Sequence, residues 1–331
     1  MSKPGLLIVN LGSPDSPTAK DTRRYLAEFL HDYRVIDTPR WIWCPILHGI
    51  ILRTRPRKSA AAYESIWHEP AEFPGEEAPL IRITRAQAAG IAASLGEGVH
   101  VEVAMRYGNP SIGAGLDALK AKGASQIAIL PLYPQFAGAT TGSVYDGVSM
   151  ALEARMDVPE LRILRHYYDD PRFISALAGS IEAHIEGLDW VPDVILTSYH
   201  GLPQSYVDKG DPYQSECLET TELLRQNMGK TKSQLYATFQ SRFGPKAWLQ
   251  PYTDKTLEAL PGTGVKKVAV IMPGFSADCL ETLEEIAVEA KESFLEHGGT
   301  HFTAIPCLNA DAAHVELLAG LAKERLLSDW L

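Results

Sequence analysis

The sequence carries only four cysteines, and no two of them stand at CxxC spacing. Cys44, Cys217, Cys279 and Cys307 are too dispersed for a disulfide framework, a zinc finger or an iron–sulfur run. Long apolar stretches are also missing. None approaches the roughly 20 residues of a membrane span. The early run Leu6-Leu7-Ile8-Val9 is too short for a signal-peptide core and has no small-residue cleavage site, so the cytoplasm is the expected compartment. An excess of positive charge is lacking as well: 31 Lys and Arg stand against 41 Asp and Glu, a net charge of -10. That balance argues against a nucleic-acid partner. The glycines form neither GxGxxG nor a Walker A loop, which leaves nucleotide binding without a motif.

What is present fits a globular protein with a sizeable core: 331 residues, 45% hydrophobic and 22% charged, long enough for two lobes. Short apolar runs at 6–10, 100–105, 126–130, 162–164, 193–198, 234–238, 267–272 and 301–305 read as strands. Helical patterns alternate with them at 81–95, 113–122, 171–185, 213–228, 254–260 and 280–297. Strands apolar on both faces, alternating with helices, predict parallel sheets covered on both sides, the α/β class. Ligands in such sheets gather beyond the carboxyl ends of the strands.

The strand-end loops recur in order. LLIVNLGSP (6–14) matches VILTSYHGLP (194–203), MRYGNP (105–110) matches SRFGP (241–245), and IAILPLYPQF (127–136) matches VAVIMPGFS (268–276). Loops between strand and helix collect Gly and Pro everywhere. The shared order of the three pairs nevertheless favours a duplication into two similar lobes, with an active-site cleft expected between their strand ends. The first lobe is assigned to 1–165 and carries an insertion at about 29–80; the second takes 166–308. Within the insertion, Trp41-Ile42-Trp43-Cys44-Pro45-Ile46-Leu47 and Ile50-Ile51-Leu52 lead into Arg53, Arg55, Arg57 and Lys58. Apolar residues followed by cations suit a lip that meets a greasy, anionic ligand or a membrane surface. A buried helix with a solvated basic end fits the same composition.

Three groups of residues carry chemistry. His200 follows a buried strand, beside Gly201 and Pro203, where a neutral imidazole can take a proton or ligate a metal. A lone histidine is more often structural, but a strand-end position weakens that reading. Downstream, Asp211 reads as a helix cap with Pro212 at the first helical position. In the second group, Asp278, Glu281 and Glu285 are three and four residues apart, so a helix opening at Asp278 would carry all three carboxylates on one face. Such a ladder could relay protons or carry a divalent cation; acidic residues also gather at helix starts for dipole reasons alone. The third group is aromatic and cationic: Tyr133, Phe136, Phe239, Phe243, Trp248, Arg106 and Arg242, near the paired loops, suit a flat apolar ligand with a few polar anchors. Thr140, Thr141, Gly142 and Ser143 read first as a helix cap, with a polar anchor as the alternative.

Together, LLIVNLGSP, MRYGNP, LPLYPQFAGATTGS (130–143), TSYHGLPQSYVDKGDPY (197–213), FQSRFGPKAWLQPYTD (239–254) and PGFSADCLETLEE (273–285) resemble the ferrochelatases, in their proteobacterial, protoporphyrin-using form. The resemblance spans nearly the whole chain. It implies two Rossmann-like lobes of chelatase-like fold and a C-terminal helix, at 309–331, packing back on the first lobe. It implies a lyase that inserts Fe²⁺ into protoporphyrin IX, the terminal step of haem biosynthesis, with porphyrin and iron as its substrates. By position, His200 and Glu281 match the family's catalytic and iron-binding pair, and Asp278 and Glu285 its acidic path. Leu11, Arg55, Tyr63, Arg106, Tyr133, Phe239 and Trp248 are the expected porphyrin contacts. Two departures stand out: Cys279 replaces a histidine found in many relatives, and the segment 68–79 is longer than usual. No permanently bound cofactor is expected, and no iron–sulfur cluster, since no cysteine follows Cys307. A coproporphyrin ferrochelatase, another tetrapyrrole chelatase and a non-enzymatic haem carrier remain as rival readings.

Overall fold

A computed structural model of the chain describes residues 3–153, 155–242 and 244–331, so Phe243 lies outside the described residues. Among them, eight strands form two four-stranded parallel sheets. The first holds β1 (Gly5–Asn10), β2 (His100–Met105), β3 (Gln126–Pro131) and β4 (Glu160–Ile163) in the order β2-β1-β3-β4. The second holds β5 (Val194–His200), β6 (Leu235–Gln240), β7 (Lys267–Ile271) and β8 (His301–Ala304) in the order β6-β5-β7-β8. The two orders are equivalent. In each, the first strand sits between the second and third, and the fourth lies outside the third. The paired sequence loops therefore follow equivalent strands, as the duplication predicts. β1, GLLIVN, is buried at all six positions, which is why it reads as a continuous apolar run rather than an alternating one.

The described part of Met1–Leu132, with Gly138–Arg165 and Ala310–Leu331, forms one compact unit; Tyr133–Ala137 and His166–Asn309 form a second. In the first unit, α1 (Ala19–His31) is capped by the Thr18 side chain, which accepts from the Asp21 amide. The insertion continues as α2 (Arg40–Ile46), a π-helical turn over Leu47–Ile51, and α3 (Leu52–Ile66). It is pinned to α1 from inside. The Trp43 indole donates to the Leu30 carbonyl at 2.7 Å, and the Tyr25 and Tyr63 rings meet edge to face. The opposite face stays in water: Trp41 is 79% and Ile50 59% exposed, with Ile42 and Ile46 beside them.

The segment 68–79 is also anchored. Arg82, buried on α4 (Pro79–Leu95), donates to the carbonyls of Phe73, Trp67 and Glu69. Glu77 makes a two-pronged ion pair with Arg85. At the end of the chain, helix Ala312–Leu321 lies against α4 so closely that a Cβ on Gly90 would stand 2.8 Å from the Val315 side chain. Glycine at position 90 makes that approach possible.

Two capping expectations need adjustment. Asp211 does accept from the Tyr213 amide at 3.0 Å, and the helix begins at Tyr213 as read, but Pro212 is its N-cap residue rather than its first helical one. Ser143 is not a cap. Helix Ser143–Leu152 has no side-chain cap bond at its start, and the Ser143 hydroxyl donates to Asp32 instead.

Candidate active site

The second unit assembles most of the candidate residues, and the strand register explains how. β5 pairs with β6 so that His200 lies opposite Gln240, both at strand ends. β7, on the other side of β5, leads into the turn that precedes Glu281. Three neighbouring carboxyl ends thus deliver the His200 loop, the Gln240–Ser241 corner and the acidic segment to one place.

His200 is half-buried, and its Nδ1 lies 2.7 Å from the Gly201 carbonyl. A carbonyl only accepts, so Nδ1 carries the proton and Nε2 presents a lone pair. Gly201 itself is confined. Its amide donates to the Gln240 carbonyl at 2.7 Å. A Cβ there would meet that same oxygen at 2.6 Å and the Trp248 ring at 3.1 Å. Glycine lets the His200 loop pass between a backbone and an indole. A bridge between Pro203 and Trp248, with Leu249 donating to the Leu202 carbonyl, ties the Trp248 segment to this loop.

Two residues that the sequence reading missed hold the acidic segment. The Gln240 side-chain amide donates to the Glu281 carbonyl at 2.9 Å, and its oxygen accepts from the Ser198 hydroxyl at 2.8 Å. Ser241 donates to the Glu285 carboxylate. Ser241 does so from a left-handed backbone, φ 62°, a conformation that costs a non-glycine residue about 1–3 kcal/mol. Both lie in the quoted stretch FQSRFGP. The signal available was their place at the strand end, not their chemistry.

Burial raises the Glu285 carboxyl above its usual value of 4.5. The Ser241 hydroxyl and His200 pull it back in part, and Glu281 adds to the rise. Glu285 therefore lies within electrostatic reach of both His200 and Glu281. A carboxyl poised to hold a proton, beside an imidazole with a bare nitrogen, can take protons from a bound acid in sequence.

Asp278 does not share this face. The helical backbone starts only at Leu280 and continues as a π-helix over Glu281–Ala290. Asp278, 2% exposed, sits in the preceding loop. Its carboxylate accepts from Thr282, from the Cys307 amide and from the Asn309 side chain at 2.9, 3.2 and 2.6 Å. With its lone pairs engaged, Asp278 anchors the loop and leaves Glu281 and Glu285 as the remaining members of the ladder. Cys279 is buried, and burial together with the Glu281 charge pushes its thiol well up. A protonated thiol is a poor metal ligand, so Cys279 offers no ligand in this arrangement.

Among the expected porphyrin contacts, Tyr133 and Trp248 are half-buried in the second unit. The Tyr133 segment is held there by Phe136, whose amide donates to the buried Glu216 carboxylate at 2.6 Å, and by Gln135, which donates to Thr220. Phe239, 2% exposed, is a core side chain against Tyr199. In the first unit, Leu11 is half-buried beyond β1 and Arg55 is exposed on α3. Tyr63, 6% exposed, packs between Tyr25 and Trp67. Arg106 is no open anion anchor. It forms a buried 2.6 Å ion pair with Asp32, and its Nε donates to Ser143. Tyr107 and Ser143 also donate to Asp32. In this structure Tyr63 and Phe239 are packed side chains, and Arg106 is engaged by Asp32 and Ser143.

Among the described residues, no group of three or more His, Cys, Asp or Glu is arranged to hold a metal ion.

The comparisons with known proteins converge. The sequence model of the family described as Ferrochelatase matches residues 3–326. A ferrochelatase of Rhodopseudomonas palustris (strain TIE-1) is 52% identical over 99% of this chain and 94% of its own length. A ferrochelatase of Brucella canis is 50% identical over 99% of this chain and 92% of its own. Among solved structures, SirB from Bacillus subtilis, determined with Fe³⁺, superposes with a TM-score of 0.56 over 98% of this chain and 97% of that one. At 12% identity that likeness speaks for a shared chelatase fold alone.

Proposed function

The chain belongs to the ferrochelatase family and inserts ferrous iron into protoporphyrin IX to form protohaem, and we propose that His200 and Glu281 carry that reaction. Fe²⁺ replaces two pyrrole N–H protons, so the site must bring an ion to the ring and remove two protons. His200 offers Nε2 as the first acceptor because Nδ1 is committed to Gly201. Glu281, whose backbone is fixed by Gln240, steers the ion or the protonated imidazole. Glu285, whose carboxyl burial pushes up, passes charge onward. Asp278 is left out of this path and assigned to the loop anchor. Tyr133 and Trp248 are the aromatic contacts we retain for the porphyrin, with Leu11 and Arg55. Bending the macrocycle to expose its nitrogens would draw about 1–5 kcal/mol from the rest of the binding energy.

The observation that carries this reading is the bare Nε2 of His200 in the same strand-end cluster as Glu281 and Glu285. Steady-state assays with Fe²⁺ and either protoporphyrin IX or coproporphyrin test it. Multiple turnovers with protoporphyrin support the assignment, and stoichiometric haem binding without turnover refutes it. We further infer a cytoplasmic enzyme with a peripheral membrane contact. Support comes from the free thiols Cys217, Cys279 and Cys307, buried as in a reducing compartment, and from the exposed Trp41, Ile42, Ile46 and Ile50 followed by Arg53, Arg55, Arg57 and Lys58. Among the described residues, no helix is long and apolar enough to cross a membrane.

A further inference from the structure

His31 closes α1, and His48 lies on the π-helical turn of the insertion, 17 residues later. Both are exposed. Their rings are tilted by 51° with centroids 4.9 Å apart, and the two Nε2 atoms face each other at 3.1 Å. The His31 Nδ1 is directed at the Ala27 carbonyl one turn back. Since that oxygen only accepts, His31 carries its proton on Nδ1 and presents a lone pair at Nε2. Such a carbonyl partner is also what fixes the tautomer and ring orientation of metal-bound histidines.

The spacing matches a metal chelate. Nitrogen–metal bonds of about 2.0–2.1 Å at tetrahedral or right angles put neighbouring ligand nitrogens roughly 2.9–3.4 Å apart. We propose that His31 and His48 form a two-imidazole site for a late first-row divalent cation, clamping the insertion to the end of α1. Without metal, the pair makes one N–H···N bond, with His48 donating to His31. Binding moves the His48 proton to Nδ1 and leaves both Nε2 atoms on the ion. Water fills the other positions, since among the described residues no third His, Cys, Asp or Glu completes the group. Imidazole pairs favour Cu²⁺ over Ni²⁺ and Zn²⁺ and bind Fe²⁺ more weakly. The site is therefore no store for the iron substrate and does not depend on the assignment of His200.

The test uses the full-length, tag-free protein carrying His200→Ala, which removes the strand-end imidazole from the competition. Calorimetric titration with Cu²⁺, and spin resonance of the loaded protein, should show one site with two imidazole nitrogens. Adding His31→Ala or His48→Ala should each weaken that binding about a hundredfold, the scale on which even outer-shell changes act, and abolish the Cu²⁺-induced rise in melting temperature. Both side chains are exposed, and circular dichroism establishes that the variants fold. Cu²⁺ affinity unchanged in either variant, or a spectrum with a single imidazole nitrogen in the parent, would overturn the proposal.

Discussion

Gln240 and Glu281 are joined by a hydrogen bond from the side-chain amide of one to the backbone carbonyl of the other, at 2.9 Å. The amide stands at the end of β6, and the carbonyl opens the acidic helix. One side chain thus sets where the Glu281 carboxylate begins. Gln240→Glu keeps the size but cannot donate, and it turns an oxygen toward the Glu281 carbonyl. We expect a stability loss of about 1–3 kcal/mol from the unmatched carbonyl. Misplacement of Glu281 should lower kcat by about ten- to a hundredfold, with KM for porphyrin little changed. Thermal melts and steady-state kinetics check both; a kcat equal to wild type would show that Gln240 positions nothing.

Arg106 makes a contrasting case. It was expected at the porphyrin, yet its charge is spent on Asp32 in a buried pair. Removing one partner of such a pair leaves the other charged and desolvated, a loss of about 3–5 kcal/mol. Arg106→Met and Asp32→Asn should both melt well below wild type, while the folded enzyme keeps its KM for protoporphyrin. A raised KM with an unchanged melting temperature would return Arg106 to the binding site.

The raised Glu285 carboxyl has a definite pH signature. Because its folded value lies above the usual 4.5, the folded chain holds that proton more tightly than the unfolded one. Stability therefore falls as pH rises from about 4.5 through the folded value, and above it the full cost of ionisation remains. Glu285→Gln, which can still accept from Ser241, removes this dependence. The variant should melt at or above wild type at neutral pH, with the difference shrinking as pH drops toward 4.5. A variant less stable than wild type by the same margin at every pH would contradict the assignment.

The exposed apolar face of the insertion predicts vesicle binding. Wild-type protein should co-sediment with anionic vesicles at low salt and lose part of that binding as salt screens Arg53, Arg57 and Lys58. Trp41→Ala combined with Ile50→Ala should weaken it at least about tenfold, since each buried apolar side chain is worth roughly 1.5–3 kcal/mol. Wild type remaining in the supernatant at low salt would remove the membrane reading.

The inner strands β1, β3, β5 and β7 were legible as largely apolar runs leading into Gly or Pro, and the recurring loops followed equivalent strands in the two sheet orders. His200 could be picked out by its place at such an end. Helix α1 was not read, since AKDTRRYLAEFLH is rich in charged residues and buries only Thr22, Tyr25 and Leu30. Asp278 was misread because spacing arithmetic assumes a helix already under way, whereas Thr282 bonds back to Asp278 and Cys279 ahead of it. Asp32 lies 74 residues from Arg106, and no local pattern announces a partner that far away. Phe239 has the right chemistry for a macrocycle, but β6 turns it into the core.

Iron insertion is assigned here, as a proposal, to His200 and Glu281. The most direct measurement is the steady-state rate of Fe²⁺ insertion into protoporphyrin IX by His200→Ala and Glu281→Gln, with folding checked by circular dichroism. Loss of a positioned proton acceptor should lower kcat by about 10²–10⁴-fold, while protoporphyrin still binds. Either folded variant inserting iron at a near-normal rate would contradict the account.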